Sequence, residues 1–349
     1  MENPAPGLEL ASPAPGTEKG KVMGRLATAL FDIFDEEVSF TKRGFRGCDE
    51  PARERLEAIG RVFVNGYRAA LADDRPQPLA GRLDETEAAF RGFAYEGAAM
   101  GLTILDAVQP WRKPRLEAFL EGPGAPHTYI AHVGVGWGLA RIPRGFERRL
   151  ARLDPILRWL AVDGFGFHEG FFHWPRAVSE QQVPEKLKGY GRRAFDQGLG
   201  RSLWFVEGAG AERVVAAIAG FPGSRRGDLW SGVGLACAYA GGVPPAAVEG
   251  LCQACGDFLP EVAQGATFAA RARQAAGNPT PWTELACRVL CGLSAEKAAR
   301  RAEDAGQDLP EDRAEEPAFE VWRGRIQDAF RRERTEAWQP QASFSVATG

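Results

Sequence analysis

Two glycine-rich phrases of helical length constrain the fold of this chain more than any other feature of its sequence. They are residues 194–205 (AFDQGLGRSLWF) and residues 228–242 (DLWSGVGLACAYAGG). Each interior glycine costs a helix about 1 kcal/mol relative to alanine. That cost has to be offset by tight packing or by a bound group. Because glycine and alanine carry so little side chain, the phrases predict helices whose backbones approach closely.

Both phrases have counterparts about one hundred residues earlier, in the same order along the chain. Residues 134–140 (GVGWGLA) match 232–238 (GVGLACA), and residues 95–97 (YEG) match 196–198 (DQG). The repetition predicts two pseudo-repeated helical units packed together, with the second unit extended at its C-terminal side. Chance similarity between helices rich in glycine and alanine is the alternative.

Signals for β-strands are sparse, because alternating β-branched runs are almost absent and Ala, Leu, Arg and Glu dominate. We therefore predict a mostly α fold. The C-terminal extension corresponds to four short helix-like segments within residues 244–304. The predicted organisation is a flexible tail at 1–20, a first helical unit at 21–150, a second helical unit with its extension at 151–305, and a linker, terminal helix and tail at 306–349.

Charge and hydropathy exclude several classes of function. The formal net charge is −3 at pH 7, so no overall basic field attracts nucleic acid or an anionic membrane. No apolar run reaches the roughly 18 residues that a membrane-spanning helix needs. Residues 1–20 lack the basic start and apolar middle of a signal peptide. With six cysteines that we expect to be reduced thiols, these features predict a cytoplasmic protein that binds no nucleic acid.

The four histidines form two pairs in the sequence, His127 with His132 and His168 with His173. Imidazole suits both metal binding and proton transfer near neutral pH. A spacing of five residues does not place both members of a pair on one helical face. A metal site would therefore need the two pairs to meet in space, and ordinary buried or surface histidines are the alternative.

His168 stands out because of its place in the repeat. Residues 167–171 (FHEGF) match residues 63–67 (FVNGY), so His168 corresponds to Val64. The second unit thus has a titratable group where the first is apolar, and Glu169 follows it directly. These two residues are our first catalytic candidates.

The cysteines offer a second pattern with metal-ligand spacing. Cys252 and Cys255 form one close pair, and Cys287 and Cys291 form another, so four thiols are available for zinc or an iron–sulfur cluster. However, they lie in helix-like segments, where cysteine commonly serves as a small buried apolar residue. We predict no metal site and leave the cofactor open.

Polar residues within the first glycine-rich phrase are further candidates. Gln197 and Arg201 are four residues apart and share a helical face, whereas Asp196 is less favourably placed. A charged group among aromatic side chains is either a structural ion pair or part of a site. If the charged groups are part of a site, Arg201 and Asp196 are further catalytic candidates.

Residues 195–205 and 228–242, with 43–45 (RGF) and 264–266 (QGA), resemble domain-of-unknown-function family 1702. The resemblance covers about residues 22–305 and points to the UnbL-type proteins that are encoded beside enediyne polyketide synthases. It implies an accessory role in building the enediyne core from a polyene. The family brings no established catalytic residues, so none is carried over to this sequence.

Two hypotheses of different classes follow. In the first, the protein handles or modifies a linear polyene or polyyne in a dry, aromatic-lined cavity with few polar groups. In the second, it is a non-catalytic helical scaffold that binds other proteins of the pathway; a weaker third adds a metal and makes it a redox partner. The first hypothesis assigns substrate binding to Phe167, Phe171, Trp174, Trp204, Trp230 and His132, and catalysis to His168, Glu169, Arg201 and Asp196.

Overall fold

The computed structural model describes residues 33–47, 50–313 and 316–337. The predicted tail at 1–20 and the chain from Gln339 onwards lie outside these residues. Within them the chain forms helices joined by turns and contains no β-strand, which confirms the prediction of a mostly α fold. None of the helices in these ranges has the length and apolar character needed to cross a membrane.

Seven long helices form the core, and an eighth packs on them near the C-terminus. Their bounds are α1 Glu50–Ala72, α2 Ala88–Val108, α3 Thr128–Arg141, α4 Arg158–Phe172, α5 Tyr190–Val206, α6 Gly223–Ala240, α7 Leu259–Ala275 and α8 Ala318–Ala337. The shorter α-helices are Phe40–Arg43, Pro76–Asp84, Arg115–Leu120, Phe146–Leu150, Ala211–Ala219, Pro245–Ala254, Pro281–Cys291 and Ala295–Ala305. Single turns of other helix types are Asp35–Val38, Ala125–His127, Pro175–Ser179 and Gly256–Phe258.

Each core helix packs on the next one along the chain through glycine. Between α4 and α5, a Cβ atom added to Gly166 would lie 2.1 Å from the carbonyl oxygen of Phe195. A Cβ atom added to Gly198 would lie 1.7 Å from that of Asp163. Glycines pair in the same reciprocal way at the other junctions except α2–α3, where Gly134 and Gly138 of α3 approach α2 without a reciprocal glycine. The pairs are Gly66 with Gly97, Gly136 with Gly164, Gly200 with Gly232, and Gly234 with Gly265.

The spacing G-x-G gives one glycine to each neighbouring helix. In α5, Gly198 faces α4 and Gly200 faces α6. Successive residues of an α-helix are turned by about 100°, so positions i and i+2 point to nearly opposite sides. The motif therefore places a helix between two others with backbone contact on both sides, and it is a packing element in this fold.

The first junction glycines of α4 to α7 are Gly164, Gly198, Gly232 and Gly265, at intervals of 34, 34 and 33 residues. One interval corresponds to one core helix and its connection. The offset of about one hundred residues found in the sequence thus equals three intervals. Packing also continues across residue 150, where α3 meets α4. The division into two pseudo-repeated units remains a prediction.

The array of core helices curls so that its two ends meet. Arg55 of α1 donates from Nε to the carbonyl oxygen of Ala240 in α6, at 2.7 Å. Arg273 of α7 donates to the carbonyl oxygens of Ala89 in α2, at 2.9 Å, and of Tyr239 in α6, at 2.6 Å. The core helices consequently surround an interior instead of forming an open layer.

Two further segments cover this interior. In α8, the buried Arg323 donates to Gln264 of α7, at 3.2 Å, and pairs with Asp228 of α6. On another side, residues 33–47 join α1 to the ends of α4 and α5, where the amide of Arg46 donates to the carbonyl oxygen of Val206 at 2.7 Å. The terminal helix and this N-terminal segment therefore help to enclose the interior.

Candidate functional site

A buried row of polar side chains crosses the interior beside the glycine junctions. In α2 and in α4 to α7, the residue directly before the first junction glycine is polar, and each of these residues is at most 1% exposed. They are Glu96, Asp163, Gln197, Ser231 and Gln264. The helical register that places glycine against a neighbouring backbone also turns the preceding side chain inwards.

Hydrogen bonds connect the row from α4 to α7. Gln197 donates from Nε2 to Asp163 at 2.8 Å, and the hydroxyl of Ser231 lies 2.8 Å from Gln264 Oε1 and 3.4 Å from Gln197 Oε1. Arg201 donates from Nη1 to the other carboxylate oxygen of Asp163 at 2.6 Å. Because Arg201 and Asp163 are both buried, this ion pair is held away from water and is part of the core.

Glu96 is the acid at the α2 end of this interior. Burial raises the pKa of Glu96 to about 8, although the positive charge of Arg201 opposes the rise. At neutral pH this carboxyl is therefore mainly protonated and uncharged. Among the described residues its Oε1 atom makes no well-formed hydrogen bond, although the Trp137 side chain is close enough to lower the pKa of this carboxyl slightly.

An aromatic cavity lies against Glu96. Its volume is about 30 Å³, room for about two water molecules, so a larger ligand enters only if the side chains around it move apart. Glu96 is the only ionisable side chain in its described lining. Seven lining residues are aromatic: Phe63, Phe93, Trp137, Phe167, Phe171, Phe172 and Phe205. The sequence candidates Phe167 and Phe171 thus lie in one cavity.

His168 and Glu169 lie at the edge of the aromatic cavity. The His168 ring packs against two lining residues, with centroids 5.6 Å from Trp137 and 4.9 Å from Phe172. The Glu169 carboxylate lies 3.1 Å from Nδ1 of His168 and 3.2 Å from Nδ1 of His173. His173 is about half exposed, so the carboxylate bridges a surface imidazole and a buried one.

Within this bridge, electrostatics favour a charged Glu169 carboxylate at the centre and a neutral His168 imidazole at the buried end. Burial lowers the pKa of His168, although the hydrogen bond to Glu169 opposes the change. Burial by itself would raise the pKa of Glu169, but His168 and His173 outweigh it, and the pKa is lowered overall. Nε2 of His168 has no partner within the described ranges. The three groups can relay a proton between solvent and the cavity edge.

The same three residues are a candidate metal-ligand set, since their ligand atoms lie within 4.8 Å of one another. Two guanidinium groups lie nearby: those of Arg43 and Arg141 are 5.3 and 5.2 Å from the centre of the Phe172 ring. Positive charge so close opposes a bound cation. The first histidine pair does not join the set, because His127 stacks on Tyr95 at 3.8 Å. The arrangement fits a proton relay better than a metal centre.

The four cysteines with metal-like spacing each contact a backbone carbonyl oxygen, and Cys287 also interacts with the side chain of Cys291. Cys287 lies 3.8 Å from the oxygen of Ala266, and Cys291 lies 3.4 Å from that of Ala263. Cys252 and Cys255 contact carbonyl oxygens in the same manner. These thiols therefore occupy small gaps between helices.

Arg201 lines a second cavity on the other side of the polar row. This cavity also has a volume of about 30 Å³. Its walls include Tyr239 of α6, Phe268 of α7 and Trp322 of α8. The Arg201 guanidinium also lies 4.8 Å from the centre of the Phe167 ring, so it stands between the two cavities.

The remaining sequence candidates lie outside the aromatic cavity. Asp196 forms a bidentate pair with Arg225, at 2.9 and 2.5 Å, and burial raises the pKa of Asp196. His132 bonds within α3 to the carbonyl oxygen of Thr128, at 2.7 Å. Trp174 donates to the carbonyl oxygen of Arg43, at 2.9 Å. Trp204 and Trp230 are buried but line neither of the two cavities.

Sequence reasoning did not select Glu96, Asp163 or Tyr239. A signal for the first two was present, because each directly precedes a glycine of the repeated motif. The match of residues 95–97 with 196–198 already aligned Glu96 with Gln197. Tyr239 has no such signal, since its position depends on how α6 packs against α2.

We expect Glu96 to make the stability of the fold fall as pH rises. A carboxyl whose pKa is raised in the folded state stabilises most below its ordinary pKa of about 4.3, and this contribution is lost as pH rises towards 8. The free energy of unfolding of the wild type should therefore fall by roughly 3 to 5 kcal/mol more between pH 4 and pH 9 than that of Glu96→Gln. Urea unfolding of both proteins across this range tests it. Glu212→Gln, at an exposed position, is the control, and parallel pH profiles for wild type and Glu96→Gln would contradict the assignment.

No curated protein and no solved structure matches the chain. One protein-family profile, described as "Protein of unknown function (DUF1702)", matches residues 22–330. The matched region is well over half of the 349 residues and contains the glycine junctions, the polar row and most of the described structure. The chain therefore belongs to the DUF1702 family of proteins of unknown function.

Proposed function

We propose that this DUF1702 protein is of the UnbL type and acts as a cytoplasmic accessory protein in enediyne polyketide biosynthesis. It binds a linear polyene or polyyne intermediate in the aromatic cavity and keeps it away from water. The observation that carries the proposal is the lining of this small cavity, with seven aromatic residues and one uncharged acid. A flat conjugated chain that moves these side chains apart suits such a lining, because aromatic faces contact it over a large area.

In this proposal the polar groups around the cavity have separate roles. Phe167 and Phe171 hold the chain by contact. Nε2 of His168 supplies or removes a proton at the cavity edge, and Glu169 and His173 connect it to solvent. The candidates outside the cavity hold parts of the fold in place. Asp196 fixes α5 against α6 through Arg225, and Trp174 anchors the N-terminal segment.

Binding of an alkyl tetraene hydrocarbon tests the cavity directly. Val64 lines the cavity and is fully buried, so we expect the larger side chain of Val64→Phe to occupy the space that the ligand needs and to weaken binding at least about tenfold. The enhancement of tetraene fluorescence measures the affinity. Val215→Phe, on the helix Ala211–Ala219 and outside the lining, should bind as wild type does. Equal binding by wild type and Val64→Phe would remove the cavity from the proposal.

We expect His168→Gln to keep tetraene binding but to lower enediyne core formation about 100-fold, the usual loss when one general acid or base is removed. His173→Gln should have a smaller effect, because the Glu169 side chain is about a quarter exposed and water can reach it. The measurement is product formation in a producing strain that carries each variant. Undiminished formation with both His168→Gln and Glu169→Gln would exclude the relay.

A non-catalytic scaffold is the second candidate, and one surface feature favours it. Trp111, in the turn after α2, is 74% exposed, and Val108 beside it is 40% exposed. Exposed tryptophan is enriched where proteins bind one another. Deletion of the gene separates the candidates: accumulation of a polyene or polyyne supports the first, and unchanged intermediates with loss of a protein complex support the second.

A further inference from the structure

The aromatic cavity and the second cavity lie end to end along the same helices. On α3, Val133 lines the second cavity, and Trp137, one turn later, lines the aromatic one. Across the boundary, the rings of Phe93 and Tyr239 are in contact, with centroids 5.2 Å apart. A single layer of side chains therefore separates the two cavities.

That layer is polar, and several of its buried atoms lack a well-formed hydrogen bond. Within the described part of the chain, no partner is found for Arg201 Nε or the Tyr239 hydroxyl. Glu96 Oε1 and Trp137 Nε1 make no well-formed bond either, although their side chains lie close enough for Trp137 to lower the pKa of Glu96 slightly. All four residues are at most 4% exposed. More than about 90% of buried polar groups in folded proteins are paired, and leaving one unpaired costs about 1 to 3 kcal/mol. Two unpaired groups beside one weakly paired couple favour a ligand that accepts hydrogen bonds in this layer.

The chemistry of the layer defines the group that it would bind. Trp137 and Arg201 can only donate hydrogen bonds, and Tyr239 can donate one. Glu96 donates as well while it is protonated, which its raised pKa of about 8 favours at neutral pH. The positive charge of Arg201 is already matched by Asp163. A donor-rich layer without net charge favours a neutral acceptor oxygen over a carboxylate.

We propose that the two cavities form one channel for a long apolar chain that carries a neutral acceptor oxygen, such as a ketone, part-way along its length. The oxygen is held by Glu96, Trp137, Tyr239 and Arg201, and the apolar arms extend into the two cavities. This inference rests on the proposed polyene binding and adds to it the position and the kind of the polar group. The layer and the walls of both cavities have to open around the ligand.

A matched pair of probes tests the channel in the full-length protein. One is a symmetrical dialkyl tetraenone with its carbonyl group at the centre, and the other is the tetraene hydrocarbon of equal length. We expect the ketone to bind at least tenfold more tightly, and its absorption to shift to longer wavelength as the carbonyl accepts hydrogen bonds. We expect Tyr239→Phe to weaken ketone binding about fivefold and hydrocarbon binding by clearly less, so that the ketone loses much of its advantage.

Tyr95→Phe is the matched control, because the Tyr95 hydroxyl is bonded to Asp84 at 3.1 Å and lies outside both linings; it should bind both probes as wild type does. Glu96→Gln should make ketone affinity independent of pH between 7 and 9, whereas wild type should lose affinity. Equal affinity for the two probes, or an equal loss of both in Tyr239→Phe, would overturn the channel and leave the proposed polyene binding intact. Binding of neither probe would overturn both.

Discussion

Gly198→Ala should destabilise the folded protein by about 3 kcal/mol or more, the upper end for an overpacked core. The added Cβ atom would lie 1.7 Å from the carbonyl oxygen of Asp163, and the amide of Phe167 is also within 2.8 Å. Both neighbours are backbone atoms, so no side chain can rotate away. Helices α4 and α5 would have to separate, and the bonds from Gln197 and Arg201 to Asp163 would be lost with them. Urea unfolding measures the change.

Gly250→Ala provides the control for this prediction. Gly250 lies in the helix Pro245–Ala254, and no heavy atom lies within 4 Å of an added Cβ atom. Alanine favours helix over glycine by about 1 kcal/mol, so this change should leave stability unchanged or increase it. A comparable loss in both variants would show that the junctions tolerate side chains.

Arg201→Met should cost about 3 to 5 kcal/mol, the usual result of leaving one member of a buried ion pair alone. Asp163 is fully buried and would keep only the hydrogen bond from Gln197. Adding Asp163→Asn to Arg201→Met should restore a large part of the loss, because no unpaired charge is then buried. A double-mutant cycle from urea unfolding measures the coupling between the two residues.

Arg300→Met is the surface counterpart of Arg201→Met. Arg300 and Glu296 form an ion pair at 3.1 Å with both side chains exposed, and such pairs contribute at most about 1 kcal/mol. If the Arg201 and Asp163 changes add without coupling, the pair does not act as a unit. The polar row would then be stabilised only by the hydrogen bonds of its glutamine side chains.

The helical architecture could be predicted from sequence because glycine and helix-forming residues act locally. The interval between junctions was harder to find. Only some of the core helices resemble one another in residues other than glycine. Residues 134–140 and 232–238 do so, and they lie three junction intervals apart. The paired approach of glycines from two helices is a contact over a long sequence distance, and no single phrase contains it.

The candidate site was predictable only in part, for a similar reason. Phe167 and Phe171 are one turn apart on α4, so their common direction follows from helical spacing. Trp204 and Trp230 are as aromatic, but each lies away from both cavities. A core helix enclosed on all sides has apolar residues around its whole circumference, and composition alone does not tell which side faces a cavity.

The reciprocal glycine contacts also limit how the length of this chain can vary. One residue inserted into α5 ahead of Gly198 would rotate the earlier half of the helix by about 100° relative to the half that carries Gly198 and Gly200. Either that earlier half or the junctions with α4 and α6 would then point the wrong way. Insertions and deletions should therefore be tolerated in the connections between core helices, and variation among relatives should concentrate there.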